Sequence, residues 1–344
     1  MARSLRSLWA IAMLAIVLDG GVALAADFYQ GKTIRITSAG AADGNYTVHA
    51  RLLAGFLTKY IPGNPNVIVE AMPGGSGLVA ANHVFNIAAK DGTSIGLLTR
   101  DSLMLPILGN ASAQFRPEQF QWIGTPESYA NSAFIIMIRS ELPYKTFEDV
   151  RKAGKPINLG GQGNNYVRLA KEVLGGNLNV IEGYRGGNEV RLALTRGEID
   201  GMGTGYNNVV QQYPQWIADK FVRFIVQYGH ATRLPELADV PTARELAGTP
   251  DDVALIKFFE LALTLGYPLA MPPGVPVERV ELIRKAFTAA MADPDYVALV
   301  RKANLDLSPR FGAELGKDIA DAANIPPVVL DRAKRMSGEA GGKS

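Results

Sequence analysis

Lys32 to Leu57 reads KTIRITSAGAADGNYTVHARLLAGFL, and this stretch sets the architecture. KTIRIT alternates β-branched and polar residues, which is the pattern of a strand. From Thr47 onward the apolar residues fall at helical spacing instead. Between the two, residues 38–44 carry small side chains, so the backbone lies open where the helix begins. A strand that feeds such a loop and then a helix is the first half of a βαβ unit.

Outward from this stretch the same rhythm repeats. NVIVEAM, TSIGLL, FIIMI, PINLGG, LNVIEGY, EIDGMGTG and KFVRFIVQY read as strands or strand ends. GLVAANHVFNIAAK, FEDVRKAG, NNYVRLAKEVLG and NEVRLALTRG read as the helices between them. The alternation predicts an α/β protein in which each sheet is mostly parallel and flanked by helices, with the loops at the strand carboxyl ends lining a crevice. A chain of 344 residues exceeds the usual size of one domain, and no Pro- or Ser-rich linker divides it. Two lobes joined by crossing strands fit both facts. The crossings are expected near Gly124 to Glu127 and near Gln227 to Gly229. This assigns residues 26–124 and 229–336 to lobe 1, 125–228 to lobe 2 and 337–344 to a flexible tail.

The first 25 residues have the form of a secretory signal peptide: Arg3 and Arg6 at the head, an apolar run from Leu8 to Leu18, and Ala23 and Ala25 before the expected cleavage point. A membrane anchor needs roughly 20 apolar residues, and Asp19 ends this run early. The chain contains no cysteine, which excludes disulfides, thiolate ligands, a cysteine nucleophile and a lipid anchor on cysteine. VALIKFFELALTLGYPLAM is broken by Lys257 and Glu260, so it reads as a packed helix rather than a membrane span. A formal charge of +2, spread along the chain, gives no nucleic-acid face. The expected product is periplasmic.

Several segments in order resemble one family, the extracytoplasmic receptors of tripartite tricarboxylate transporters, also called the Bug or TctC family. They are KTIRIT with its loop, VIVEAMPGGSGLVAAN, AKDGTSIGLL, LGGQGNNYVRLAKEVL, GYRGGNEVRLALTRGEIDG, LADVPTARELA and PPGVPVERVELIRKAFTAAMADPDY. The resemblance implies a two-lobed Venus-flytrap fold of the type II periplasmic binding proteins. It implies hinge closure on a small carboxylate-type solute, delivery to membrane permease subunits, no catalysis and no cofactor, and a monomer. The first loop departs from the family, whose own is richer in glycine and proline. Asn45 and Tyr46 stand where relatives are more often acidic.

Carboxylates are met by donors already aimed, and helix N-termini supply them as free N–H groups. In the first loop Ala39, Gly40 and Ala41 open the backbone, while Asn45 and Tyr46 add side-chain hydrogen bonds; the bland alternative is an ordinary loop with Asp43 or Asn45 as the helix cap. Ser76 in PGGSG either donates to a solute or caps the next helix. Arg100 ends GLLTR at a strand carboxyl end. In the middle of the chain, Gln162, Asn164 and Asn165 of GGQGNN, and Gly186, Gly187 and Asn188 of GYRGGNE, repeat the design, with Tyr184 packing over the solute. Arg185 reads as a solvated charge, and Tyr206 as either a cleft residue or a core one.

No chemistry stands against this reading. GGQGNN lacks the third glycine of a dinucleotide fingerprint, and no G-x-S-x-G elbow is present. The three histidines, His49, His83 and His230, lack ligand spacing, so no metal is expected. Glu198 and Asp200 read as an exposed turn entering a strand rather than an acid–base pair. The rivals are a receptor serving a sensor kinase and a periplasmic enzyme of similar fold.

Overall fold

The computed structural model describes residues 28–161, 165–184, 187–322 and 324–338. The signal segment, Gln162, Asn164, Arg185, Gly186 and residues 339–344 of the expected tail lie outside the described residues. The described chain divides into two compact units. The first takes residues 28–106, 111–127 and 267–319, and the second takes 107–110, 128–266 and 320–338.

The first stretch gives β1 (Thr33–Ser38), α1 (Asn45–Tyr60), β2 (Asn66–Ala71), α2 (Leu78–Asn86), β3 (Ser94–Leu97) and β4 (Gln121–Thr125). The second gives β5 (Phe134–Arg139), α3 (Phe147–Arg151), β6 (Ile157–Gly160), α4 (Asn165–Glu172), β7 (Leu178–Ile181), α5 (Gly187–Arg196) and β8 (Gly201–Gly205). It continues through α6 (Tyr206–Gln212), α7 (Pro214–Ala218), β9 (Val222–Tyr228), α8 (Ala243–Leu246) and α9 (Pro250–Leu265). The chain then returns to the first unit with β10 (Leu269–Met271), α10 (Val277–Ala292), α11 (Pro294–Lys302) and β11 (Arg310–Phe311). The first unit ends inside α12 (Gly312–Ala322), and α13 (Pro327–Ser337) belongs to the second.

Among the described residues the first unit has a six-stranded sheet in the order β11-β4-β10-β3-β1-β2, and the second a five-stranded one in the order β7-β6-β8-β5-β9. β1 pairs in parallel with β2 and β3, whereas β10 runs antiparallel between β3 and β4. In the second sheet β6 is parallel to β7 and β8, and β5 is antiparallel to both β8 and β9. Most strands of each sheet thus run one way, as expected, and each sheet is mixed through one reversed internal strand. The fully buried run Phe134–Ile138 cannot reveal this, because an internal strand reads as continuous apolar residues in either direction.

α1 shows why these residues form these elements. Ala50, Leu53, Ala54 and Leu57 recur at helical spacing and are buried against Ile34 and Ile36 of β1 and Ile283 and Phe287 of α10. Burying Leu53 and Leu57 contributes roughly 1.5–3 kcal/mol each. The second unit has its own core, with Ile135 and Met137 of β5 packed among Val190, Leu194 and Trp216.

The return crossing departs from expectation. Residues 229–266 stay with the second unit, and the chain leaves it at Gly266 and Tyr267 rather than near Gln227 to Gly229. Side chains hold this segment in place. Gln227 donates to the carbonyls of Leu237 and Val240, and Arg332 of α13 pairs with Asp252 of α9 at 2.6 Å.

Candidate functional site

In the first unit the carboxyl ends of β1 and β3 sit side by side, because Ser38 is paired with Leu97. The loop after β1 is fixed by short-range bonds: Thr47 Oγ1 lies 2.8 Å from Ser38 Oγ and donates to the Gly40 carbonyl at 3.3 Å. Ala39 is buried and donates its N–H to Leu97, while Ala41 is exposed. Gly40 has to be glycine, since a Cβ there would stand 2.8 Å from the Tyr46 Cβ. The helix cap is Gly44, with no side-chain cap bond, so neither Asp43 nor Asn45 serves as cap. Asn45 is the exposed first residue of α1.

The other first-unit candidates adjoin this edge. Arg100 donates its backbone N–H to the Tyr46 hydroxyl at 3.4 Å. Thr99 Oγ1 donates to the Ser76 carbonyl at 2.8 Å, tying the loop after β2 to the one after β3. Ser76 does not cap α2; the cap is Gly77, and the Ser76 side chain is exposed. The loop runs through four successive left-handed residues, Gly74, Gly75, Ser76 and Gly77. Gly77 packs so closely that a Cβ would lie 2.0 Å from Thr99 Oγ1.

Sequence reasoning missed what supports Tyr46. His49, one turn further along α1, is fully buried, and its Nε2 is 2.9 Å from Glu127 Oε2. The Tyr267 ring packs on His49 at 4.3 Å and on Tyr46 at 4.6 Å between centroids. The spacing of Tyr46 and His49 puts them on one face of the helix, which is the signal the sequence offers. Glu127 lies 78 residues from His49, and Tyr267 lies further still.

In the second unit the carboxyl ends of β6, β7, β8 and β9 share one edge. Asn165 opens α4 half-buried, and Gly187 and Asn188 open α5 exposed. Asn188 Oδ1 accepts from the Arg191 guanidinium, which leaves the amide NH2 as the group to give. Tyr184 is half-buried against the core, as is Tyr206, whose ring meets Phe224 edge-on at 5.7 Å. Burial pushes the Tyr206 hydroxyl pKa up. Asp200 is a structural acceptor for the Asn158 N–H at 2.8 Å, and Glu198 lies in the turn before β8.

Glu260 also escaped the sequence reading. It is buried on α9, accepts the Gly229 N–H at 2.9 Å, and meets Arg244 Nε at 2.7 Å. Burial pushes its carboxyl pKa up, against the pull of that N–H and of Arg244. Beside it His230 donates Nε2–H to the Ser132 carbonyl at 2.6 Å. Tyr166 and Tyr228 continue the anchoring: the Tyr228 hydroxyl donates to the Tyr166 carbonyl, and the Tyr166 hydroxyl to that of Phe259.

A groove of about 370 Å³ in the first unit lies elsewhere, at the start of β1 and β3, lined by Thr33, Arg35, His83 and Ser94 among others. Two of its lining side chains are engaged, Arg35 with Glu70 and Thr93 with Asp91. Among the described residues no group of three or more His, Cys, Asp or Glu side chains is placed to hold a metal ion. No helix among them is long and apolar enough to cross a membrane.

A TctC solute-binding protein from Polaromonas matches the chain with a TM-score of 0.66 at 21% identity, over 90% of this chain and 99% of that one. The fold is that of the TctC and Bug solute-binding proteins. The periplasmic binding protein BugD gives a TM-score of 0.58 at 21% identity, over 90% of this chain and 98% of its own. MatC of Rhodopseudomonas palustris, solved with bound malate, gives 0.56 at 20% identity, over 90% and 99%. No protein-family model matches the chain, and no curated protein sequence does.

Proposed function

We propose that the chain is a periplasmic solute receptor of the tripartite tricarboxylate type, which binds a small carboxylate and passes it to membrane permease subunits without altering it. The observation that carries this reading is the start of α1: a sixteen-residue helix at the carboxyl end of an internal strand, with no side chain capping its N-terminus. The N–H groups and positive dipole end of a helix start favour a carboxylate, and the shared fold with a malate-bound protein supports the same class. Asn45, Tyr46, Ser76 and Arg100 would contribute from the first unit. Asn165, Tyr184, Gly187, Asn188 and Tyr206 would contribute from the second, together with Gln162, Asn164 and Gly186.

The test is a thermal-shift screen of malate, adipate, citrate and aromatic acids, followed by calorimetry on each hit. A solute at one hundred times its dissociation constant should stabilise the fold by about 2.7 kcal/mol. Failure of every carboxylate to raise the melting temperature, or appearance of a chemically altered solute at stoichiometric protein, would overturn the reading.

A further inference from the structure

The support beneath Tyr46 is more elaborate than packing requires. Further along the same face α1 buries Leu53 and Leu57, yet at the turn nearest its N-terminus it buries an imidazole. Burying a polar group costs roughly 1–3 kcal/mol unless it is bonded, so a leucine would serve a core more simply. His49 instead engages Glu127, the last residue before the chain leaves the first unit. The Glu127 carbonyl accepts the N–H of Tyr267, the residue at which the chain returns, and Thr125 Oγ1 accepts from the same N–H at 2.9 Å. Tyr267 is thus held at its backbone by Glu127 and at its ring by His49, and the same ring packs on Tyr46. The Tyr46 hydroxyl in turn accepts the Arg100 N–H. A continuous set of contacts therefore runs from a buried hydrogen bond to the aromatic side chain beside the open helix start.

We propose that His49, Glu127 and Tyr267 are positioning residues that set the angle of the Tyr46 ring at the start of α1, and through it the room this edge leaves for a solute. This rests on the receptor reading for its meaning but not for its test. The residues touch Tyr46 and one another; none is assigned a contact with solute. A ring held by an oriented, buried bond should discriminate between solutes of different length, whereas a ring held only by apolar contact would yield to either.

The experiment uses the full chain carrying ring-labelled tyrosine, with the Tyr46 signals assigned by Tyr46→Phe and with L-malate and adipate as calorimetric probes. Glu127→Ala should move the Tyr46 ring signals and change the malate-to-adipate affinity ratio at least fivefold. Glu127→Gln, which keeps an acceptor for the His49 Nε2–H, should restore both. If Glu127→Ala does not fold, Tyr267→Leu makes the same comparison, because it removes the ring and keeps the backbone bonds. Tyr46 ring signals unchanged from wild type in a folded Glu127→Ala or Tyr267→Leu protein would overturn the proposal. So would a loss of affinity for both probes with their ratio preserved, which is what general loosening produces. If wild type binds neither probe, the dicarboxylate reading fails on its own, and the ring signals still decide whether the three residues position Tyr46.

Discussion

The two units present the same kind of edge, strand carboxyl ends opening into small-sided loops, yet they hold those edges by different means. The first uses local hydroxyl bonds around Ser38, Gly40 and Thr47, a glycine-rich left-handed run, and two tyrosine rings in contact, one of them packed on a histidine. The second relies on one helix: α9 offers the Phe259 carbonyl and the Glu260 carboxylate, and these anchor the beginning of α4 and the end of β9. A loop braced by its own neighbours tolerates changes elsewhere in the unit. A loop braced by a distant buried charge depends on that charge being neutralised.

The largest expected effect tests this dependence. Arg244→Met leaves Glu260 buried without its cation and should cost about 3–5 kcal/mol in urea denaturation, since an uncompensated buried charge is the penalty. The sign of its pH dependence follows from Glu260. A carboxyl whose folded pKa is raised contributes most favourably at low pH and loses that contribution as pH rises through the folded value. The cost of Arg244→Met should therefore be smaller in acid, where the raised carboxyl of Glu260 is protonated, than at neutral pH, where it is charged. An equal cost at both would remove the charge from the explanation.

Next in size is Gly77→Ala in the first unit. The left-handed backbone and the closeness of Thr99 predict a loss of about 1–3 kcal/mol, confined to the loop and visible as faster amide exchange around Ser76. The smallest effects on stability belong to the exposed helix-start residues. Asn45→Ala and Asn188→Ala should each leave stability within about 0.5 kcal/mol. Each should weaken binding of the preferred carboxylate roughly tenfold, the value of one hydrogen bond to a charged group. Calorimetry on both variants sharpens the comparison, because a loss from only one assigns solute recognition to that unit.

The sequence carries the strand–loop–helix rhythm because periodicity is local. Ser38 to Arg51 could be read as a small-sided loop delivering a helix start from those residues alone. The direction of β5, by contrast, is set by partners in β8 and β9, and nothing within FIIMI records it. The return crossing was misplaced because residues 229–266 are kept with the second unit by distant partners, among them Arg332 on Asp252 and Gly229 on Glu260. Glu260 first registered only as a charge interrupting an apolar run, and its meaning comes from Gly229 and Arg244. His49 looked like an isolated histidine because Glu127 lies 78 residues away.

The position of β10 in its sheet bears on how the molecule comes into being. β3 and β4 lie next to each other in the chain but not in the sheet, where β10 stands between them. As the chain emerges from the ribosome, the strands of the second sheet, residues 134–228, can find one another without waiting for later sequence. The first sheet stays in two pieces until Leu269–Met271 arrives. Closing a loop of that length is slow relative to local pairing, so the three residues of β10 act as a late keystone. The half-built sheet keeps the edges of β3 and β4 unpaired in the meantime, and this is the interval in which a chaperone would find most to bind.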